Sequence, residues 1–60
     1  MKYQKKDGSL YLIYLYSDYR NTWKIEPLPF NGSSLEVSEK AKNQFIKQNK
    51  LKLVNEPLNG

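Results

Sequence analysis

Apolar side chains are concentrated in one uninterrupted segment, residues 10–16, which contains leucine, isoleucine and tyrosine and nothing else. Branched and aromatic residues fit the pleated surface of a β-sheet, and seven residues is an ordinary strand length, so this segment predicts a strand. Successive side chains of a strand point to opposite faces, and here both sets are apolar. One face carries Tyr11, Ile13 and Leu15, and the other carries Leu10, Leu12, Tyr14 and Tyr16.

A second strand is predicted at residues 22–26, where polar and apolar residues alternate. Pro27 and Pro29 have no N–H to donate to a ladder, so this strand is expected to lie at an edge of the sheet or to end there. The pair Asn31-Gly32 favours a tight two-residue hairpin turn after it.

A short third strand is the preferred interpretation of residues 34–37, because apolar and polar residues alternate there. The alternative is a capping box formed by Ser33 and Glu36, which would begin a helix at Ser34. The two interpretations differ in where the helix starts.

One helix is predicted at residues 39–49, which contain good helix formers and neither glycine nor proline. Ser38 stands before this segment as a candidate N-cap residue. A narrow apolar stripe along the helix is formed by Ala41, Phe45 and Ile46. Residues 51–54 alternate again and predict a short further strand.

Both ends of the chain are polar. Residues 1–8 are expected to be a frayed lead-in that ends at the turn pair Asp7-Gly8, and the alternative is that Tyr3 begins a preceding edge strand. Residues 55–60 are expected to be a frayed tail. Together these elements predict a single small α+β domain: an antiparallel β-meander of about three strands with one α-helix packed on one face, and a possible short fourth strand.

The 60 residues include neither histidine nor cysteine. Histidine is the side chain whose unperturbed pKa lies near neutral pH, and cysteine is the strongest intrinsic nucleophile, so most catalytic chemistry and any Cys/His zinc site are excluded. The six acidic residues are scattered and match no calcium-loop or glycine-rich pattern. We therefore expect no enzyme, no catalytic residue, no metal or other cofactor and no small-molecule substrate.

No apolar run approaches the roughly 20 residues needed to cross a bilayer, so we expect no membrane partner and a cytoplasmic location. A single core in a chain this small rarely supplies more than about 3–5 kcal/mol of stability. Without cysteine, disulfides cannot reinforce that core, which favours reinforcement by a macromolecular partner.

The second apolar face of the first strand needs a cover, because one short helix covers only one side of a sheet. The cover is either the chain itself, through Leu28, Phe30 and Leu58, or a second copy in a homodimer, or a different protein. For the two intermolecular cases the expected contact residues are Tyr14, Tyr16 and Trp23, with Tyr19 and Arg20 at the rim.

The net charge of +4 is compatible with a nucleic-acid partner. Residues 38–54 contain five lysines against Glu39, which accounts for the whole excess. Such a helix would contact phosphates, with the salt dependence that this implies. The candidate residues for nucleic-acid binding are Lys40, Lys42, Lys47 and Lys50.

The function expected from the sequence is that of a small non-enzymatic interaction protein, an accessory regulator or inhibitor that binds a protein partner or itself through an aromatic sheet face. Frequent lysine, asparagine, tyrosine and isoleucine fit an AT-rich coding sequence, as in a low-GC bacterium or its phage. The alternative is a small basic regulator that binds DNA or RNA through the lysine-rich helix.

Overall fold

Five strands and one helix succeed one another along residues 1–54, the part of the chain that the computed structural model describes. Their bounds are Lys2–Gln4 for β1, Leu10–Ser17 for β2, Thr22–Leu28 for β3, Leu35–Ser38 for β4, Glu39–Gln48 for α1 and Lys52–Leu53 for β5. The strands form one sheet in the order β4-β3-β2-β1-β5, and every neighbouring pair is antiparallel. The predicted α+β fold is confirmed, with five strands where the sequence indicates three or four.

The hairpin of β2 and β3 forms the centre of the sheet, with Ile13 opposite Ile25. β4 pairs with β3 only as far as Ile25, which lies opposite Leu35. From there to Leu28, the segment that contains Pro27, β3 pairs with β2 alone. Proline therefore lies where β3 is an edge strand, as its missing N–H requires.

The connection between β3 and β4 is longer than the sequence indicates. It runs from Pro29 to Ser34, so the tight two-residue turn predicted at Asn31-Gly32 is wrong. Asn31 Oδ1 instead accepts a hydrogen bond from the Ser33 N–H at 2.9 Å, and Gly32 adopts a φ of 90°. Because β4 stops pairing well before the end of β3, the chain returns through a loop of several residues.

The helix begins where the cap residue indicates. Ser38 Oγ accepts a hydrogen bond from the Ala41 N–H at 3.2 Å, which satisfies one of the free N–H groups of the first turn. The third strand is confirmed, and the alternative helix start at Ser34 is excluded because β4 pairs with β3 up to Ser38. At the other end Asn49 is the C-cap, and its N–H donates to the Phe45 carbonyl at 3.1 Å.

The N-terminal segment is a paired strand, so the frayed lead-in expected for residues 1–8 is wrong. β1 lies between β2 and β5, and it receives hydrogen bonds from both sides. The Ile13 N–H donates to the Met1 carbonyl at 2.8 Å, and the Val54 N–H donates to the Lys2 carbonyl at 2.8 Å. The alternative strand at Tyr3 is confirmed, but its expected place at the edge of the sheet is wrong, because the chain returns after the helix to pair with it. The tail expected at residues 55–60 lies outside the described residues.

A thin core lies between α1 and one face of the sheet. The buried side chains of the described residues are Ile13, Ile25 and Leu51. The half-buried apolar side chains that pack against them are Tyr3, Tyr11, Trp23, Val37, Phe45 and Ile46. The rings of Tyr11 and Phe45 meet edge to face, with centroids 5.4 Å apart. No helix within residues 1–54 is long and apolar enough to cross a membrane.

Candidate functional site on the helix-free sheet face

The face of the sheet opposite α1 carries the second apolar set of β2. Directly opposed residues of antiparallel strands share a face, so the pairing register assigns the paired side chains of β2 and β3 to one side. Tyr16 has no partner because the register shifts between Leu15 and Ser17, and its ring is assigned by its contact with Lys24. We call the side away from the helix the helix-free face. Its central members are Leu10, Leu12, Tyr14, Tyr16, Lys24, Glu26 and Leu28.

Three leucines form the apolar part of the helix-free face. Leu10 lies opposite Leu28, and Leu12 lies opposite Glu26, next to Lys2 of β1. All three leucines are half-buried. The helix packs against the other face, so it does not cover them.

The residues suggested as a cover from within the chain do not cover this face in the described structure. Leu28 is itself a member of the helix-free face. Phe30 has 59% of its surface exposed, so it is not packed over the sheet. Leu58 lies outside the described residues.

Two tyrosines extend the leucine patch toward the β2–β3 turn. The Tyr14 hydroxyl donates to Glu26 Oε2 at 2.7 Å, and this hydrogen bond to a carboxylate raises the pKa of the Tyr14 phenol. Tyr16 is 53% exposed, and Lys24 Nζ lies 4.5 Å from the centroid of its ring. The lysine also donates to Ser34 Oγ at 3.3 Å. Both rings thus have charged neighbours, and Tyr16 leaves apolar surface toward solvent.

Trp23 does not lie on the helix-free face. It pairs with Leu15, and its ring packs against the core on the helix side of the sheet. Lys42 Nζ lies 4.1 Å from the ring centroid, and the buried indole Nε1 has no hydrogen-bond acceptor within the described part of the chain. The expectation that Trp23 shares a contact surface with Tyr14 and Tyr16 is wrong, because the register puts its side chain on the other face.

The two predicted rim residues lie in the β2–β3 turn. Tyr19 is 98% exposed. The Arg20 guanidinium lies 4.0 Å from a carboxylate oxygen of Glu36, and the backbone N–H of Arg20 donates to Ser17 Oγ at 3.1 Å. Glu36 shares the helix-free face with Lys24, so Arg20 contacts a member of that face. Tyr19 is linked to the face only by its position next to Arg20 in the turn.

The four lysines predicted to bind nucleic acid do not form one surface. Lys42 lies over the Trp23 ring, whereas Lys40 and Lys47 line a shallow groove on the outer side of α1. Lys50 lies beyond the helix and lines a different groove with residues of β1 and β5. Lys40 and Lys47 lie on one side of the helix, as their spacing of nearly two turns indicates, whereas the spacing does not show that Lys42 and Lys50 have other neighbours.

The charges of the helix-free face are mixed in sign. Lys24 lies between Tyr14 on β2 and Glu36 on β4, and Glu26 follows two residues later on β3. The face therefore presents positive and negative groups next to one another around its leucines. Within residues 1–54, no three acidic, histidine or cysteine side chains are grouped so as to hold a metal ion.

Searches with protein-family models, among curated proteins and among solved structures find no match to this chain.

Proposed function

We propose that this chain is a small non-enzymatic interaction protein of the regulator or inhibitor type, which associates with a protein surface through its helix-free face. The observation that carries the proposal is the row of Leu10, Leu12 and Leu28 without a helix over it. The three leucines are half-buried, and the exposed ring of Tyr16 extends their row, so the face keeps apolar surface for a protein interface.

The occupant we assign to this face is a second copy of the chain. A two-fold interface brings the same surface of both copies together, so it requires a face that is complementary to itself. The alternating charges of Lys24, Glu26 and Glu36 meet this requirement, because a lysine of one copy finds a carboxylate on the other. A face of one sign would repel its own copy.

The area of the helix-free face suits a weak homodimer. With a spacing of about 3.4 Å per residue and about 4.8 Å between strands, β1 to β4 present roughly 350 Å² of flat sheet on each side. Side chains that project from the sheet add to this flat area, so two copies packed face to face bury on the order of 1,000 Å² in total, near the lower limit for a specific interface. We therefore expect a dissociation constant in the micromolar range.

The helix-free face favours a nucleic-acid interface less than it favours a homodimer. A nucleic-acid interface requires a large excess of positive charge, and on this face Lys2, Lys24 and Lys52 are nearly balanced by Glu26 and Glu36. A cytoplasmic location goes with the proposal, because small domains outside the cytoplasm usually depend on disulfides and this chain has no cysteine.

The experiment is sedimentation velocity over a concentration series from about 1 to about 500 µM, with Tyr16→Ala and Leu15→Ala as a matched pair. Tyr16 and Leu15 are adjacent and similarly exposed, at 53% and 44%, but Leu15 pairs with Trp23 on the helix side whereas the Tyr16 ring contacts Lys24 on the helix-free face. Tyr16→Ala is expected to weaken association at least tenfold with little change in the melting temperature, because its ring is a large amphipathic contact. Leu15→Ala is expected to leave association unchanged.

Two results contradict the proposal. A wild-type protein that sediments as a monomer at every concentration refutes the homodimer and leaves the face to a different protein. An equal loss of association and of stability in Tyr14→Ala and Tyr16→Ala assigns both tyrosines to the core of one copy.

A further inference from the structure

A second surface, at the β1–β5 end of the molecule, is lined by four of the ten basic side chains of the chain. It is a groove of about 460 Å³ lined by Gln4, Lys5, Lys6, Gly8, Lys50 and Lys52. We call it the lysine groove. Four of its six lining residues are lysines, and none is acidic.

The backbone around the lysine groove is held in place by hydrogen bonds on the β1–β2 side. The Lys5 N–H donates to the Ser9 carbonyl at 2.8 Å, and the Gly8 N–H donates to the Lys5 carbonyl at 3.0 Å. Asp7 Oδ1 accepts from the Ser9 N–H at 2.9 Å, and this bond lowers the pKa of the Asp7 carboxyl. Asp7 is thus one ionised acid next to four lysines, which leaves a local excess of positive charge.

Lys50 occupies a position that normally favours glycine. The Leu51 N–H donates to the Ile46 carbonyl at 3.0 Å and the Lys50 N–H to the Lys47 carbonyl at 3.2 Å, which is the Schellman pattern of a helix C-terminus. In this pattern the residue after the cap is left-handed, and Lys50 has a φ of 51°. The left-handed backbone conformation costs more energy for a lysine than for a glycine, so the presence of a lysine here points to a role for its side chain.

The favourable interaction of lysines with the helix dipole does not explain why all the lysines of the lysine groove lie together. Lysines at the C-terminal end of a helix are favourable, which explains Lys47 and Lys50. It does not explain Lys5 and Lys6, which precede β2, or Lys52 of β5. These lysines lie together because β5 returns to pair with β1, opposite Gln4.

We infer that the lysine groove binds the phosphate backbone of duplex nucleic acid. Four lysines around one groove are point charges suited to phosphate groups, and they lack the planar fork with which arginine reads bases. No aromatic side chain lines the groove, so it offers no platform on which the bases of a single strand would stack. The binding is therefore electrostatic and largely independent of sequence. It uses Lys50 but not Lys40, Lys42 or Lys47.

The affinity is expected to depend steeply on salt. If all four lysines contact phosphates, the logarithm of the binding constant falls with the logarithm of salt concentration with a slope of about −3.6. Between about 50 mM and about 200 mM salt this corresponds to a loss of about 150-fold.

The test is fluorescence anisotropy of a labelled duplex of about 20 base pairs in about 50 mM KCl, with Lys50→Gly and Lys40→Ala compared. Each variant removes one positive charge, but only Lys50 lines the groove. Lys50→Gly is expected to bind about tenfold more weakly, with a salt slope reduced by about one, and to melt at an equal or higher temperature. Lys40→Ala is expected to bind within about twofold of wild type.

Three results would overturn the inference. The first is no binding by wild type at this salt concentration, and the second is an equal effect of Lys50→Gly and Lys40→Ala, which would make the affinity a property of net charge alone. The third concerns the ligand: sodium tripolyphosphate that displaces the duplex at micromolar concentration, or a single strand that binds more tightly than the duplex, would exclude the duplex backbone. The melting temperature shows in each case whether the variant is folded.

Discussion

Alanine substitutions at Ile13 and at its neighbour Leu12 are expected to change two different equilibria, because the two side chains lie on opposite faces of β2. Ile13 faces the helix and is 2% exposed, the most buried side chain of the core. Leu12 lies on the helix-free face and is half-buried. One substitution therefore tests the fold and the other tests the proposed interface.

The effect on folding is large for Ile13→Ala. The substitution removes three carbon atoms, which at about 0.8 kcal/mol each is about 2.4 kcal/mol of transfer free energy. The cavity left between Ile25 and Leu51 raises the loss to about 3–4 kcal/mol. A core in a domain of this size rarely supplies more than about 3–5 kcal/mol, so we expect the variant to be largely unfolded at 25 °C.

The effect on association is large for Leu12→Ala. About 1 kcal/mol of its transfer free energy is already gained within one copy, since the side chain is half-buried. The remaining part, about 1.4 kcal/mol, is gained only in the dimer and is lost twice in a two-fold interface. The dissociation constant is therefore expected to rise about 100-fold, while the free energy of unfolding of a single copy falls by only about 1 kcal/mol.

Urea unfolding followed by the fluorescence of Trp23 measures the first quantity at about 0.01 µM protein, about 100-fold below the expected dissociation constant, where the proposed dimer is dissociated. Sedimentation equilibrium measures the second. Equal destabilisation of the dilute protein by Leu12→Ala and Ile13→Ala would contradict this expectation. That result would mean that the chain itself covers the helix-free face, and no apolar surface would then remain for a partner.

Two further substitutions test local contacts. Tyr14→Phe removes the hydrogen bond to Glu26. That bond raises the folded-state pKa of Tyr14 above its ordinary 10.0. The stabilisation by the bond is therefore complete below about pH 10 and is lost as the pH rises through the raised pKa. The difference in unfolding free energy between wild type and Tyr14→Phe should be constant from about pH 7 to about pH 9 and should shrink above about pH 10, and a difference that grows with pH would refute this. Ser38→Ala removes the acceptor of the Ala41 N–H and is expected to cost about 1 kcal/mol, whereas Ser38→Asp keeps an acceptor and should cost much less in the same urea titration.

The elements that could be predicted from the sequence are those whose signal is local. The run at residues 10–16 predicts β2, and the cap at Ser38 predicts the start of α1 to the residue. The sequence also indicates that one apolar face of β2 has no helix over it, because a single amphipathic helix covers only one side of a sheet. These features depend on side-chain pattern and capping, which neighbouring residues specify.

The features that could not be predicted depend on pairing between distant segments. β1 is short, basic and polar, and it is stabilised by main-chain hydrogen bonds to β2 and β5 that leave no mark in its own composition. The face of Trp23 depends on the register of the β2–β3 hairpin, where a shift of one residue exchanges the two faces. Pairing Ile13 with Ile25 as the two most apolar central positions would have placed Trp23 opposite Leu15 and away from Tyr14.

The return of β5 to β1 also decides where the positive charge of the molecule lies. Residues 38–54 hold a charge excess equal to the net +4 of the chain, and along the sequence this suggests a basic helix. In the fold, Lys42 packs over an indole ring, while Lys50 and Lys52 are brought beside Lys5 and Lys6 from the other end of the chain. Positive charge is thereby concentrated at one end of the sheet, while lysine and glutamate alternate around the leucines of the helix-free face. Two surfaces with such different electrostatics suit two different partners, and substitutions at Tyr16 and Lys50 separate their contributions because each residue belongs to one surface alone.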